Sequence, residues 1–212
     1  MLAYDLSRPR GASDGATVAV LLHGRGSHRG DLQALRAYLP TDWVLVTPQA
    51  PHPGHRWGYG PGWAWYHYFG DDLIEDAGLE WSLSAVDRFL ARLPAVVTLR
   101  PGRILLGGFS QGGTVSLAYA LTRPGVAAAV LNFSGFLVDS RVVPLHLSGA
   151  QEAHVFWAHG TRDPAVPHDL AVRGRARLAE AGIPVTARDY DIGHWIDPQE
   201  IADAVAFLDG GG

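Results

Sequence analysis

One stretch decides the fold of this chain, Arg103-Ile-Leu-Leu-Gly-Gly-Phe-Ser110-Gln-Gly-Gly-Thr-Val-Ser-Leu-Ala118. Its apolar first half predicts a buried strand, and its second half has the residue types of a helix. Between them lies a G-x-S-x-G pattern, Gly108 to Gly112, which presents a serine on a sharp strand-to-helix turn. Such a turn strains the backbone of the serine, and only glycine fits two residues to either side. Ser110 is therefore the candidate nucleophile; the alternative is a glycine-rich turn with a solvated serine.

Outward from this turn, short aliphatic runs alternate with helical patterns. The predicted strands are 17–22, 43–47, 103–107, 126–132, 154–158 and 184–189, and the predicted helices are 31–39, 72–93, 111–122, 169–181 and 198–208. The strands are continuously apolar, which is typical of a parallel sheet covered on both faces. No linker divides the chain. The sequence therefore predicts one α/β domain over residues 1–212, with a mostly parallel central sheet and helices on both faces.

Two residue types are missing from the composition. The chain has no cysteine and no lysine, since all 17 basic residues are arginine. This excludes thiol nucleophiles, cysteine-ligated metals, lysine Schiff bases and P-loop nucleotide hydrolysis. A serine or threonine activated by histidine, a carboxylate nucleophile, and metal chemistry on histidine and carboxylates remain. The net charge of −4 gives no reason to expect nucleic acid as a partner.

A nucleophilic serine needs a histidine base and an acid that orients it, and this fold type places them in the order Ser, acid, His. Asp163 follows the fifth predicted strand and His194 follows the last, at the edge where catalytic groups collect in open α/β sheets. We predict Asp163 as the acid and His194 as the base. Competing acids are Asp189, Asp191 and Asp197, and competing histidines are His168 and His159; His159 is predicted to be a packing residue.

The oxyanion of an acyl-transfer intermediate needs two backbone N–H donors. The amide of Gln111 follows the nucleophile directly. The second donor is predicted at Arg25, in the H-G-x-G loop that begins at His23 after the first strand. The alternative is that His23-Gly24 merely ends a strand.

Taken together, these motifs resemble the small carboxylesterase, lysophospholipase and acyl-protein thioesterase family of α/β-hydrolases. The segments that carry the resemblance are the H-G-x-G loop at His23, Pro48–Pro51, Ala64–Tyr66, 103–113, Ser134–Leu137, His159-Gly160 with Asp163–Pro167, and Gly193-His194. The resemblance implies an α/β-hydrolase fold without a large cap, no cofactor, the triad Ser110, Asp163 and His194, and main-chain donors at Arg25 and Gln111. Relatives usually carry an apolar residue where Arg25 stands.

The aromatic-rich segment 50–71 is too long to be a simple connection and is predicted to be functional. Four apolar side chains are candidates for the acyl-binding wall, although each could instead pack the segment onto the sheet: Trp65, Phe136, Val166 and Trp195. Since no inserted lid is expected between residues 134 and 154, we predict a carboxylesterase for short to medium acyl chains. An acyl thioesterase or lysophospholipase with the same triad is the alternative.

Three rival interpretations stay open. A hydrolase fold can serve as a binding protein, although such proteins commonly lose a triad member. A metal-dependent hydrolase could use His52, His55 and His67, but their spacing lacks the helical i, i+4 pattern. The same triad could also cleave an amide. We expect a small-molecule ester as substrate, no metal, no nucleic acid and no membrane insertion. Because the start of the chain lacks a signal-peptide pattern, the cytoplasm is the expected location. The oligomeric state stays open, a homodimer included.

Overall fold

A mostly parallel sheet forms the centre of the molecule in a computed structural model that describes residues 1–140 and 154–210. The strands are β1 (Tyr4–Ser7), β2 (Thr17–Leu22), β3 (Val44–Pro48), β4 (His52–Pro53), β5 (Trp63–Ala64), β6 (Tyr68–Gly70), β7 (Leu73–Ile74), β8 (Arg103–Phe109), β9 (Ala129–Phe133), β10 (Val155–Gly160) and β11 (Val185–Tyr190). Seven of them form the central sheet in the order β1-β3-β2-β8-β9-β10-β11, in which only β1 runs antiparallel to its neighbour. The strands β4 and β5, and likewise β6 and β7, form small antiparallel pairs outside it.

Helices cover both faces of this sheet. They are α1 (Asp76–Leu90), α2 (Leu93–Val97), α3 (Gln111–Thr122), α4 (His168–Glu180) and α5 (Pro198–Asp209), with 3-10 helices at Asp31–Tyr38 and Gly54–Trp57. Along β2, Val18, Val20 and Leu22 pack in one cluster with α1 and α3, while Ala19 and Leu21 pack in another with α5 and the first 3-10 helix. Both sides of the strand are therefore buried, which explains its continuously apolar sequence and confirms the predicted architecture.

The predicted elements agree with the structure except around the edge and the aromatic segment. The predicted helix at 31–39 is a 3-10 helix, and the predicted helix at 72–93 begins only at Asp76, because Leu73–Ile74 pairs with β6 instead. The helix α2, the edge strand β1 and the small pairs β4–β5 and β6–β7 were not predicted, and the predicted helix at 72–93 ends at Leu90. These strands have two to four residues, too few for a periodic pattern to identify.

The parallel arrangement brings the carboxyl ends of β2, β8, β10 and β11 to one edge of the sheet. No cap domain covers this edge in residues 1–140 and 154–210; most of the segment expected to lack a lid, residues 141–153, lies outside the described residues. Among the described helices, none is both long enough and apolar enough to cross a bilayer. The loops at this edge contain the predicted site residues.

Candidate active site

Ser110 lies in the strained turn between β8 and α3. Its backbone has φ 53° and ψ −117°, a conformation that side-chain-bearing residues rarely adopt. A Cβ on Gly108 would lie 2.4 Å from the Leu22 carbonyl oxygen, and one on Gly112 would lie 1.9 Å from the same atom. The steric prediction for both glycines is thus confirmed. The Ser110 amide donates to the Phe133 carbonyl at 2.8 Å, which fixes the turn to β9.

His194 and Asp163 are in direct contact. His194 Nδ1 lies 2.7 Å from Asp163 Oδ2, while Asp163 Oδ1 accepts hydrogen bonds from the amides of Ala165 at 2.8 Å and Val166 at 2.9 Å. The side chain of Asp163 is fully buried. Burial alone would raise the pKa of Asp163, but the hydrogen bonds from His194 and the two amides hold this pKa below its ordinary value. A buried, ionised carboxylate therefore faces the His194 ring.

His159 approaches the same carboxylate oxygen as His194, at a longer distance. Its Nε2 is 2.9 Å from the Val166 carbonyl oxygen and 3.6 Å from Asp163 Oδ2, and the residue is fully buried. Nε2 must carry the proton, since the carbonyl can only accept. Burial lowers the pKa of His159, so the ring is neutral. As predicted, His159 is a packing residue, and it fixes the turn that supplies two amides to Asp163.

The two predicted oxyanion donors line the same cavity as Ser110. Gln111 is the first residue of α3, where an amide has no acceptor within the helix. The Arg25 amide has no acceptor among residues 1–140 and 154–210. A Cβ on Gly24 would lie 3.1 Å from the Phe109 ring and 3.6 Å from Ser110 Cβ. The glycine before Arg25 thus lets the loop approach the serine.

A network of hydrogen bonds holds this loop to the aromatic segment. His23 Nδ1 donates to the Gly24 carbonyl at 2.7 Å, and its Nε2 accepts from the Ala50 amide at 3.0 Å. Burial lowers the pKa of His23 to about 4, so the ring is neutral. Trp65 Nε1 donates to the His23 carbonyl at 2.8 Å, and Gln111 Oε1 accepts from the Trp65 amide at 3.1 Å.

The cavity has a volume of about 220 Å³ and is open to solvent on one side. Of the four predicted wall residues, Phe136 and Val166 line it, and the other two do not. Trp65 is fully buried in the core, and its indole N–H is bound to the His23 carbonyl. Trp195 is 54% exposed and lies over Gly193 instead. The structure thus does not place these two tryptophans in the cavity wall where the acyl contact was predicted.

Sequence reasoning missed several residues of the cavity wall. They are Ser27, Asp31, Tyr66, Tyr68, Phe109 and Ala165. A usable signal existed for Phe109, the residue before the nucleophile, whose ring lies 4.7 Å from that of His194. None existed for Asp31, which reaches the cavity through its hydrogen bond with Ser27 Oγ at 2.7 Å.

The histidines of the rival metal site lie away from this cavity, in an aromatic cluster. The rings of His52 and His67 lie 5.0 Å and 5.3 Å from the Trp57 ring, and the His67 ring is stacked on it. Within the part of the chain that the structure describes, no group of three or more histidine or acidic side chains is arranged to hold a metal ion. Ring packing accounts for the positions of both histidines.

Comparison with known proteins identifies the family to which this chain belongs. The model of the phospholipase/carboxylesterase family matches residues 10–210. Acyl-protein thioesterase 1 of Emericella nidulans is 31% identical over 92% of this chain and 89% of its own, and that of Eremothecium gossypii is 30% identical over 89% and 85%. The crystal structure of esterase PE8 superposes with a TM-score of 0.80 at 29% identity, covering 99% of this chain and 98% of that one. The chain belongs to the phospholipase/carboxylesterase family of α/β-hydrolases.

Proposed function

We propose that the protein is a carboxylesterase that cleaves esters of short to medium acyl chains, with Ser110 as nucleophile, His194 as base and Asp163 as the orienting acid. One observation carries the proposal. The strained serine at the start of α3 shares a cavity with a histidine whose other ring nitrogen is bound to a buried carboxylate. That combination is the requirement for activating a serine hydroxyl.

The reaction proceeds through an acyl-enzyme. His194 accepts the proton of Ser110 Oγ, and the oxygen attacks the ester carbonyl. The oxyanion that forms accepts hydrogen bonds from the amides of Arg25 and Gln111. His194 then protonates the alcohol as the carbon–oxygen bond breaks, and a water molecule repeats the same steps on the acyl-enzyme. Asp163 stabilises the His194 cation in both half-reactions.

The size and lining of the cavity support the chain-length preference. A volume of about 220 Å³ is below the roughly 300–1,000 Å³ of sites for drug-sized ligands. Phe136 and Val166 supply apolar surface for the acyl chain beside the nucleophile. An acyl thioesterase with the same residues is the second candidate, favoured by the fungal relatives that bear that name.

The test combines labelling with kinetics. A fluorophosphonate should label one serine per chain, and Ser110→Ala should abolish labelling and lower kcat/KM for nitrophenyl esters by about 10,000-fold or more. Ser116→Ala is the matched control, since its hydroxyl lies buried in α3 and donates to the Gly112 carbonyl. This variant should keep the activity.

Substrate panels separate the two candidates. An oxyester series should show its highest kcat/KM at short to medium acyl chains, and a steady rise to very long chains would contradict the proposal. The matching thioester series, measured on the same enzyme, decides for the second candidate if its kcat/KM values exceed those of the oxyesters throughout.

A further inference from the structure

Arg25 lines the cavity, and its side chain lies over two aromatic rings. Its guanidinium carbon lies 4.9 Å from the centre of the Tyr59 ring and 5.4 Å from that of Tyr68. The two tyrosines are bound to each other, because Tyr59 Oη donates to the Tyr68 carbonyl at 3.2 Å and accepts from the Tyr68 amide at 2.8 Å. The guanidinium therefore rests on a rigid pair of rings.

A guanidinium that lies over aromatic rings can still offer N–H donors to another partner. It carries five N–H donors in a planar fork that matches a carboxylate. In residues 1–140 and 154–210, no acceptor binds these donors and no carboxylate lies within salt-bridge distance of Arg25. Asp31, which also lines the cavity, accepts from Ser27 Oγ instead. Among the described residues, the Arg25 guanidinium thus has no counterion within salt-bridge distance, although Asp31 lines the same cavity.

Arg25 also lies next to the wall assigned to the acyl chain. The guanidinium lies over Tyr68, whose ring centre is 5.9 Å from that of Phe136. Arg25, Tyr68 and Phe136 line the same cavity as Ser110. A chain that follows Phe136 and Tyr68 from the acyl carbon at Ser110 would bring its far end to the ring over which the guanidinium lies. The polar end of such a chain meets a cation there.

We propose that Arg25 forms a subsite for a carboxylate at the far end of a short acyl chain, so that the preferred substrates are monoesters of short dicarboxylic acids. The inference rests on the proposed esterase function and specifies its substrate class. An uncharged acyl chain leaves the five donors to water, whereas a terminal carboxylate pairs with two of them. The gain is moderate because Arg25 is exposed and the ion pair is screened.

The experiment compares two nitrophenyl esters of similar length, a butyrate and the monoester of glutarate. The readout is the ratio of kcat/KM for the glutarate ester to that for the butyrate. Because the Arg25 amide is a proposed oxyanion donor, a change in overall rate is not informative, and only this ratio is. Arg25→Met should lower the ratio about tenfold at low ionic strength, which corresponds to about 1.4 kcal/mol. Arg25→Lys should give an intermediate ratio, since lysine keeps the charge without the planar fork.

Arg56→Met is the matched control. Arg56 is also exposed and also stacks on an aromatic ring, 5.4 Å from the centre of Trp57, but it does not line the cavity. Its ratio should stay at the wild-type value. An equal fall of the ratio in Arg25→Met and Arg56→Met would overturn the subsite, since it would show that the ratio follows the electrostatic field of the whole protein.

Two further outcomes also overturn the inference. An unchanged ratio in Arg25→Met overturns it while ester hydrolysis by Ser110 stands. An ester with the carboxylate on its alcohol part tests the side: if Arg25→Met affects only that ester, the acyl placement is wrong. Wild-type protein that hydrolyses none of these esters contradicts the proposed function itself, and the subsite with it.

Discussion

Two of the histidine–aspartate pairs at the carboxyl-terminal side of the sheet, His194 with Asp163 and His168 with Asp189, differ in ways that matter for chemistry. His194 Nδ1 lies 2.7 Å from Asp163 Oδ2, and His168 Nε2 lies 3.0 Å from Asp189 Oδ1. The side chain of Asp163 is fully buried, whereas that of Asp189 is 41% exposed. The first contact is a hydrogen bond, while the approach of His168 is not aligned for one.

The partners of the two carboxylates explain the difference. Asp189 Oδ1 also pairs with Arg175 Nη1 at 2.7 Å, so an arginine already neutralises its charge. The described partners of Asp163 are the amides of Ala165 and Val166 and the two histidines His159 and His194. Among the described residues no arginine neutralises this charge, so it can act on the His194 ring as the proposed mechanism requires. Distance alone does not distinguish a catalytic pair from a surface ion pair; burial and competing partners do.

The largest effect should come from removing the charge of the cavity pair. Asp163→Asn keeps the shape of the side chain but loses the anion that stabilises the His194 cation. We expect kcat/KM for a nitrophenyl ester to fall by about 1,000- to 10,000-fold.

Asp191→Asn is its control, because Asp191 lies close to His194 in the sequence and pairs on the surface with Arg162 at 2.6 Å. Wild-type activity is expected there. A comparable loss in both variants would mean that the acid assignment is wrong.

A smaller effect should come from His23, a buried histidine whose hydrogen-bond partners are backbone groups. Burial lowers its pKa to about 4 from an ordinary value of 6.5, so the unfolded chain takes up a proton in this range before the folded protein does. Above pH 6.5 this histidine is neutral in both the folded and the unfolded chain and does not lower the free energy of unfolding. As the pH falls to 4, protonation of the unfolded chain lowers the free energy of unfolding by about 3 kcal/mol.

His23→Gln removes this titration and keeps a polar side chain of similar length. The free energy of unfolding from urea titrations should therefore decrease less in the variant than in the wild type between these pH values. Other groups, such as Glu200 with a pKa raised by burial to about 7, titrate in both proteins and cancel in the difference. Identical pH dependences in the two proteins would refute the assignment of His23 as a neutral buried ring.

The smallest effect should come from breaking the surface pair. His168→Gln removes a partly exposed histidine–aspartate contact that lacks hydrogen-bond alignment, and even charged surface pairs contribute only roughly 0–1 kcal/mol. Neither the urea midpoint nor kcat/KM should change by more than the error of the measurement. A loss of activity close to that of Asp163→Asn would show that the two pairs are coupled.

Residues whose positions depend on local backbone sterics or on strand order were predictable from the sequence. Gly108 and Gly112 identified the turn at Ser110, and the parallel sheet implied that Asp163 and His194 meet at one edge. Long-range contacts were not readable in this way. Trp65 is buried and hydrogen-bonded to His23, forty-two positions earlier, and Arg25 points its side chain at two tyrosines of the aromatic segment. Neither contact leaves a periodic pattern in the sequence.

The order of the central sheet has a further consequence, for aggregation. An open sheet exposes two strand edges, each a potential template for pairing with another chain. One edge is β1, which has only four residues and whose Asp5 is paired with Arg29 at 2.9 Å. The other is β11, where Arg188 and Asp189 are exposed in its second half. The short length of β1 and the charged side chains of β11 oppose the pairing of these edge strands with those of another copy of the chain.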